Sequence, residues 1–300
     1  MAPLSSILPS PQWHEVLARL ERGVILVIGS SGTGKTSFAR HLLNQLRRGN
    51  DRTALVDGNI AMPAIGVPGC LGAALTNPWV APCASVFVGA TASVHRRAPV
   101  LAGLIQLERR VRQAGARTVI VDLPPLTGAG ARELVVQAHR ALAANQIVAL
   151  QRANECESFL AVFDEAARLY RLPASPNARR WSREERIDRQ DGRLRAHFFN
   201  ADRRVFPLRA LSARGWLPAD GSAAAGTAVG LVDGEGYCLG LGRIEEVHPD
   251  RVAIVTPVKA SVPCRLQLAD FRLTADGAFD RRHAFPTLGE GTPSASVAEL

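Results

Sequence analysis

Short runs of aliphatic residues alternate with amphipathic segments along the first half of the chain. Five runs are almost continuously apolar, which is typical of strands buried on both faces of a sheet. They cover residues 24–28, 52–57, 85–89, 118–122 and 146–150. The segments that place apolar side chains at helical spacing cover residues 37–48, 99–114 and 131–144. This alternation predicts an α/β fold in which helices cover both faces of a parallel sheet.

The pattern changes after residue 158. Residues 159–171 predict a helix, residues 172–180 an extended link, and residues 181–200 a strongly basic helix. Between residues 205 and 273, alternating apolar positions and glycine turns predict a small antiparallel β domain. The predicted organisation is an N-terminal helix at 1–22, a core at 23–170, a basic helical lid at 171–204, a β domain at 205–275 and a flexible tail at 276–300.

The first apolar run leads directly into a glycine-rich turn, Gly29-x-x-x-x-Gly34-Lys35-Thr36, and then into an amphipathic helix. Glycines let successive backbone N–H groups point at a phosphate, and the helix N-terminus adds positive potential. Lys35 is expected to reach the β- and γ-phosphate oxygens, and Thr36 to bind Mg²⁺. A chance match is the alternative, but strand, turn and helix all fall where the mechanism needs them. The predicted ATP or GTP site consists of Gly29, Ser30, Ser31, Gly32, Thr33, Gly34, Lys35, Thr36 and Ser37.

Two aspartates end apolar runs, Asp57 after the second run and Asp122 after the fourth. Because the carboxyl ends of parallel strands form the ligand-binding edge of an α/β sheet, both are expected near the phosphates. Asp122 is the more conventional Mg²⁺-shell residue of the two. Asp57 is expected to orient water or to assist the acceptor, although either aspartate could instead cap a helix or stabilise a turn.

Positive charge is concentrated in one part of the chain. Residues 171–214 contain twelve arginines and five acidic residues, so they contribute +7 to a formal net charge of +9. A segment of this kind suits a polyanion, and nucleic acid is the predicted partner. Arg179, Arg180, Arg183 and Arg186 follow helical spacing and are candidates to close over a transferred phosphoryl group. A solvated arginine-rich surface helix is the alternative.

Composition argues against several other classes of protein. The 300 residues are 47% hydrophobic but contain no uncharged apolar run of 18 residues, so a membrane span is not expected. The five cysteines are scattered and the seven histidines lack metal-ligand spacing, so neither a disulfide framework nor a zinc site is expected. The N-terminal residues lack the pattern of a secretion signal, and a cytoplasmic protein is predicted.

Four sequence stretches occur in order along the chain: GSSGTGKT, VDGNIAMPAIGVPG, TVIVDLPPLTGAG with the following helix into IVALQRANE, and ARRWSREERIDRQDGRLRAHFF. Together with GYCLGLGRIEEV in the β part, they resemble the polynucleotide 5′-hydroxyl kinase family, the P-loop RNA kinases of the mRNA-cleavage-factor and rRNA-processing type. The resemblance implies transfer of the γ-phosphate of ATP or GTP to the 5′-OH of RNA or DNA with Mg²⁺. It also implies phosphate and Mg²⁺ roles for Lys35 and Thr36, and lid roles for Arg180, Arg183 and Arg186.

The sequence departs from the family pattern in two places. After its second strand the family typically reads Asp-x-Asp-x-Gly-Gln, whereas this chain has Asp57, Asn59, Ala61 and Met62. Asparagine cannot accept a proton as a carboxylate does, so a general base at position 59 is lost. Residues 123–125, Leu-Pro-Pro, also replace the family's clasp, which contains threonine and glycine.

Three functions are consistent with these observations. The leading hypothesis is a polynucleotide 5′-hydroxyl kinase. The second is a catalytically eroded, nucleotide-binding scaffold for a protein partner in RNA processing, because the phosphate motif is intact where the acceptor motif is not. The third is a P-loop kinase for a small molecule.

Overall fold

The computed structural model describes residues 9–48, 52–75, 83–92, 96–125, 130–163, 167–207, 212–213, 225–259 and 265–281. The strands in this part of the chain form two sheets, one of seven strands and one of six. The larger sheet contains the aliphatic runs and is flanked by helices, which confirms the predicted α/β fold.

The larger sheet places its first strand next to two parallel neighbours. Its strands are β1 (Gly23–Gly29), β2 (Thr53–Asp57), β3 (Cys70–Ala74), β4 (Ala84–Phe87), β5 (Thr118–Asp122), β6 (Gln146–Gln151) and β7 (Arg168–Pro173). They lie in the order β4-β3-β2-β5-β1-β6-β7. Because β1 lies between β5 and β6 and is parallel to both, the turn after β1 opens at the carboxyl edge of the sheet, among other strand ends.

Helices cover both faces of this sheet. They are α1 (Pro11–Arg19), α2 (Lys35–Arg48), α3 (Arg97–Gln113), α4 (Gly130–Ala141) and the short α5 (Glu157–Leu160). Leu26 of β1 belongs to the apolar cluster that contains α3 and α4, and the next residue, Val27, belongs to the cluster that contains α1 and α2. Burial on both faces explains the unbroken apolar runs. None of the described helices combines the length and apolar character needed to cross a bilayer.

The helix predicted at residues 159–171 is wrong in its C-terminal part. α5 ends at Leu160, and the chain then forms β7, which pairs in parallel with β6. β7 lies at the edge of the sheet, and of its six residues only Leu172 is buried. An edge strand with exposed arginines lacks the apolar run by which buried strands are recognised.

The chain between β2 and β4, where the sequence pattern predicts neither a strand nor a helix, contains a further strand. β3 pairs antiparallel with both β2 and β4, so the predicted wholly parallel sheet has an antiparallel edge. The sequence of β3, CLGAA, is rich in small residues and gives little strand signal. Position 72 needs a glycine, because a Cβ there would lie 2.6 Å from the carbonyl O of Ile65.

The C-terminal residues form the smaller sheet, as their alternation predicts. Its strands are β8 (Asp202–Pro207), β9 (Ser212–Ala213), β10 (Thr227–Val232), β11 (Cys238–Val247), β12 (Arg251–Thr256) and β13 (Arg265–Arg272). They lie in the order β8-β12-β11-β10-β13-β9, and all pairs except β13 with β9 are antiparallel. Phe206, Ile244 and Ile254 lie in its core.

The basic helix predicted within the lid is α6 (Arg183–Phe198). It begins with a capping box, in which the Ser182 hydroxyl accepts from the Glu185 N–H and the Glu185 carboxylate accepts from the Ser182 N–H. The predicted lid, residues 171–204, begins inside β7 and ends inside β8. Only part of the predicted lid is therefore helical. The domain limits themselves stay predictions.

α6 joins the two sheets. Its Leu194 is fully buried in an apolar cluster with Cys70 of β3, Phe87 of β4, Leu241 of β11 and Phe271 of β13, which we name the inter-sheet cluster. The C-terminal half of α6 is consequently fixed between the sheets. Its N-terminal end directly follows the residues that lie against Gly32 in the turn after β1.

The first residues of the predicted tail contact α6. Arg195 Nε lies 2.8 Å from Asp276 Oδ2, and Arg281 Nη1 lies 2.8 Å from Asp191 Oδ2. Asp191 is almost fully buried, so its pairing with Arg281 compensates a desolvated charge. The rest of the predicted tail, beyond residue 281, lies outside the described residues.

Replacing Leu194 by alanine tests the fixed position of α6. We expect Leu194→Ala to lower the free energy of unfolding by about 2–5 kcal/mol, because a cavity would remain between the sheets. Denaturant unfolding followed by circular dichroism measures the change. Gly192→Ala is the matched control in the same helix. Apart from the backbone of α6 itself, no atom of the described residues lies within 4 Å of a Cβ at Gly192, so this variant should be neutral or more stable by up to about 1 kcal/mol.

Candidate functional site

The turn between β1 and α2 has the geometry of the predicted phosphate cradle, residues 29–37. Gly29, Gly32 and Gly34 have φ angles of 148°, 72° and 93°, a region that favours glycine. A Cβ at Gly29 would lie 2.2 Å from the carbonyl O of Leu150 on β6, so a larger residue would not fit. α2 begins at Lys35, directly after the turn, and its first N–H groups add to the positive potential there.

Hydrogen bonds within the cradle hold it in shape. Thr33 is buried, and its Oγ1 donates to the carbonyl O of Ser30 at 3.0 Å. Ser31 and Ser37 are only partly exposed. The predicted nucleotide-contacting residues therefore form one continuous turn.

Lys35 lies inside the cradle. Its side chain is almost fully buried, and Nζ donates to the carbonyl O of Ser30 at 2.9 Å. Burial lowers the pKa of Lys35 from its ordinary value, and the nearby Asp122 carboxylate opposes that shift. A buried ammonium group with one backbone partner is well placed to bind an anion that enters the turn.

Thr36 and Asp122 are joined by a hydrogen bond. Thr36 Oγ1 donates to Asp122 Oδ2 at 2.6 Å. The other oxygen, Asp122 Oδ1, is buried and has no hydrogen-bond partner in the part of the chain that the structure describes. A hydroxyl and a partly unsatisfied carboxylate supply the oxygen ligands that Mg²⁺ prefers, so these residues fit a Mg²⁺ site completed by phosphate and water.

Asp57 stabilises the loop that follows β2. Its Oδ1 accepts from the Asn59 N–H at 2.9 Å, and its Oδ2 accepts from the N–H groups of Ala64 and Ile65. β2 and β5 pair Asp57 directly with Asp122. Burial and the charge of Asp122 together raise the pKa of Asp57 to about 7, against the hydrogen bonds that lower it. Asp57 thus has the turn-stabilising role considered as an alternative, and its catalytic role stays a prediction.

Asn59 also belongs to the structure of this loop, which we name the acceptor loop (residues 58–69). Asn59 Oδ1 accepts from the Met62 N–H at 3.1 Å. α6 contacts the same loop, since Gln190 Nε2 donates to the Ala61 carbonyl O at 2.9 Å and Arg193 Nη1 donates to the Gly66 carbonyl O at 3.1 Å. The side-chain amide of Asn59 and two side chains of α6 therefore help to hold the acceptor loop in place.

Residues 174–182 lie against the cradle. The Ser175 N–H donates to the Thr33 carbonyl O at 3.3 Å. A Cβ at Gly32 would lie 2.8 Å from Arg180 Cγ and 3.0 Å from the Arg179 carbonyl O. The structure thus brings Arg180 next to the cradle, and its role as a lid arginine stays a prediction.

Arg183 and Arg186 lie in the first turns of α6 and are exposed. No hydrogen bond or ion pair joins either side chain to another residue in the described ranges. Their roles in phosphate binding stay predictions.

Arg152 is a site residue that the sequence analysis missed. Its Nη2 donates to the Gly32 carbonyl O and, at 3.2 Å, to the Ala178 carbonyl O. One guanidinium group thereby joins the cradle to residues 174–182. The sequence position of Arg152 could have identified it, because Arg152 directly follows β6. β6 is parallel to its neighbour β1, so both strands end at the same edge of the sheet.

This geometry defines a P-loop nucleotide-binding protein. Residues 29–200 match the family described as the P-loop of the mRNA cleavage and polyadenylation factor CLP1. The match covers more than half of the chain, and the chain belongs to this family.

Curated relatives include two polyribonucleotide 5′-hydroxyl-kinases. The enzyme of Methanocaldococcus jannaschii is 27% identical over 183 residues, which cover 59% of this chain and 50% of the relative. The enzyme of Pyrococcus furiosus is 26% identical over 183 residues, which cover 59% of this chain and 51% of the relative. In these matches the chain spans about half the length of the curated relatives.

The fold is also similar to that of a solved protein. The structure of the wild-type Clp1p–Pcf11p complex superimposes with a TM-score of 0.67 at 14% identity, over 87% of this chain and 77% of the other. At this identity the likeness establishes the fold, namely a P-loop sheet with flanking helices.

Replacing Lys35 tests the cradle. We expect Lys35→Ala to weaken ATP or GTP binding about 10- to 150-fold, because a charge-assisted contact to phosphate is lost. Isothermal titration calorimetry measures the affinity. Lys259→Ala, at an exposed lysine three residues after β12, is the matched control and should leave the Kd unchanged. Equal affinities for Lys35→Ala and the wild type would mean that the turn does not bind the phosphates.

The pairing of Asp57 with Asp122 predicts a pH effect. Asp122→Asn removes a neighbouring charge, so the pKa of Asp57 should fall below about 7 but stay above its ordinary value of 3.8, because burial remains. Carboxyl ¹³C NMR of labelled aspartate measures this shift.

The same pairing affects stability. A raised carboxyl pKa means that the folded state binds the proton more tightly, so the free energy of unfolding contributed by Asp57 falls as pH rises from 3.8 to about 7. We expect a smaller fall in Asp122→Asn than in the wild type. An unchanged pKa of Asp57 would contradict the proposed coupling.

Proposed function

We propose that this chain transfers the γ-phosphoryl group of ATP or GTP to the 5′-hydroxyl end of RNA or DNA. The observation that carries the proposal is the convergence of Lys35, Thr36 and Asp122 at the cradle, directly beside a basic segment that contacts the same turn. Family membership and the activity named for the relatives support the choice of reaction.

The cradle supplies binding and charge. Backbone N–H groups of residues 29–37 would hold the β-phosphate, and Lys35 would exchange its bond to the Ser30 carbonyl O for phosphate oxygens. Thr36 and Asp122 would hold Mg²⁺, which neutralises charge between the β- and γ-phosphates when bound. Asp122 would keep its bond from Thr36 and direct its unsatisfied Oδ1 toward that site.

The lid supplies positive charge from the opposite side. Arg180 lies over Gly32, and the exposed Arg183 and Arg186 follow one and two helical steps later on α6. In phosphoryl transfer, negative charge spreads over the oxygens of the transferred group, and nearby guanidinium groups stabilise it. Closing these arginines over the nucleotide would also exclude water from the reaction.

The acceptor side lacks a dedicated carboxylate base. Position 59 is an asparagine, and both oxygens of Asp57 accept backbone hydrogen bonds. A general base contributes about 10²–10⁴-fold, whereas phosphoryl transfer depends mainly on positioning and electrostatics. A slow kinase is therefore consistent with this acceptor loop.

The same acceptor loop favours a second candidate function, a nucleotide-binding scaffold in RNA processing. In this alternative the cradle binds ATP or GTP without turnover and the fold binds a protein partner. A protein partner is proposed because the solved neighbour, Clp1p, is in complex with Pcf11p. The two functions differ in whether the oligonucleotide gains a phosphate.

A transfer assay distinguishes the two functions. The protein is incubated with γ-labelled ATP or GTP, Mg²⁺ and RNA or DNA oligonucleotides with 5′-OH ends, and we expect label in the oligonucleotide. Asn59→Asp should raise kcat by about 10²-fold or more if the missing base limits the rate. Asp122→Asn is the negative control and should abolish transfer. Tight nucleotide binding without transfer in both the wild type and Asn59→Asp would support the scaffold.

A further inference from the structure

Trp181 is exposed immediately before α6. It is one of five large apolar side chains that the described part of the chain leaves exposed, with 37% of its surface accessible. Tryptophan is rarely left at the surface without a partner, because its ring contributes a large apolar area.

Two arginines lie against this ring. The guanidinium carbon of Arg179 is 4.4 Å from the ring centroid and that of Arg189 is 4.2 Å from it. Arg179 Nη1 is also 2.7 Å from Glu185 Oε1, and Glu185 belongs to the capping box that begins α6. The ring is therefore held in a defined position and does not need to be ordered when a ligand binds.

The stack of Trp181, Arg179 and Arg189 lies in a segment that contacts the candidate functional site. The Arg179 backbone lies against Gly32 of the cradle, two residues before Trp181. Two turns into α6, Gln190 contacts the acceptor loop through the Ala61 carbonyl O. The stack thus belongs to a segment that contacts both the cradle and the acceptor loop.

A purely structural stack explains these contacts less well. Arg179 and Arg189 carry like charges and lie against one exposed ring, so they repel each other, and the Glu185 carboxylate, which is paired with Arg179, opposes this repulsion. A nucleic acid would relieve this repulsion with its phosphates and would add a base to the stack. Aromatic rings and guanidinium planes both stack on bases without sequence preference.

We propose that Trp181, with Arg179 and Arg189, forms the stacking platform for a base near the 5′ end of a single-stranded polynucleotide acceptor. The inference rests on the proposed function and adds to it the side chains that hold the acceptor's base. A nucleobase of the ATP or GTP donor has the same stacking chemistry, so the test separates donor from acceptor.

The test is a double-mutant cycle on binding. The Kd of a 5′-OH oligonucleotide is measured for the wild type and Trp181→Ala, with intact oligonucleotides and with oligonucleotides that carry one abasic residue at each of the first four positions. We expect Trp181→Ala to raise the Kd of the intact oligonucleotide about 5- to 150-fold. At one position, the abasic residue should weaken binding to the wild type but not to Trp181→Ala.

Three comparisons make the result specific. Trp181→Phe keeps an aromatic face and should retain most of the affinity. Phe199→Ala, which removes another exposed aromatic ring directly after α6, is the matched control and should bind like the wild type. Trp181→Ala should keep the wild-type dependence of Kd on salt, because it removes no phosphate contact, and the wild-type affinity for ATP and GTP.

The following binding results would contradict the proposed stacking platform. Trp181 stacks on no acceptor base if, at all four positions, the abasic residue weakens binding to Trp181→Ala as much as it weakens binding to the wild type. The same conclusion follows if Trp181→Ala and Phe199→Ala lose equal affinity for the intact oligonucleotide. A raised Kd for ATP or GTP alone would assign the ring to the donor. Oligonucleotide binding that depends on Trp181 without phosphate transfer would disprove the kinase activity but not the platform.

Discussion

The hydrogen bond between Thr36 and Asp122 depends on the register of two parallel strands. β1 and β5 pair Val27 with Asp122, so the strand that leads into the cradle ends beside the strand that ends in the carboxylate. Residues 86 positions apart in the sequence thereby meet at 2.6 Å. The other charged groups of the site follow from the same arrangement, because β2 and β6 also run parallel and deliver Asp57 and Arg152 to this edge.

The parts of the site that could be predicted are those determined by local sequence. The cradle needs glycine at particular backbone angles, and a buried parallel strand produces an unbroken apolar run, so both leave a visible pattern. The sequence left two roles open for Asp57, because its partners, the N–H groups of the acceptor loop, depend on how that loop folds. β7 was missed because an edge strand need not be apolar.

α6 combines two properties that composition alone did not separate. Its arginines indicate a solvated basic helix, yet Leu194 is fully buried and Asp191 is paired with Arg281. The helix is therefore rigidly anchored at one end and charged at the other. Such an arrangement holds positive groups near the cradle without the entropic cost of ordering a free segment.

The inter-sheet cluster has a consequence for how the chain can be divided. The family match ends at residue 200, before the smaller sheet begins. A fragment cut there would lose Leu241 and Phe271 and would expose Cys70, Phe87 and Leu194 to water. Newly exposed apolar surface of this kind promotes aggregation. The residues that match the family are therefore shorter than the part of the chain that folds together, which includes strands of the smaller sheet.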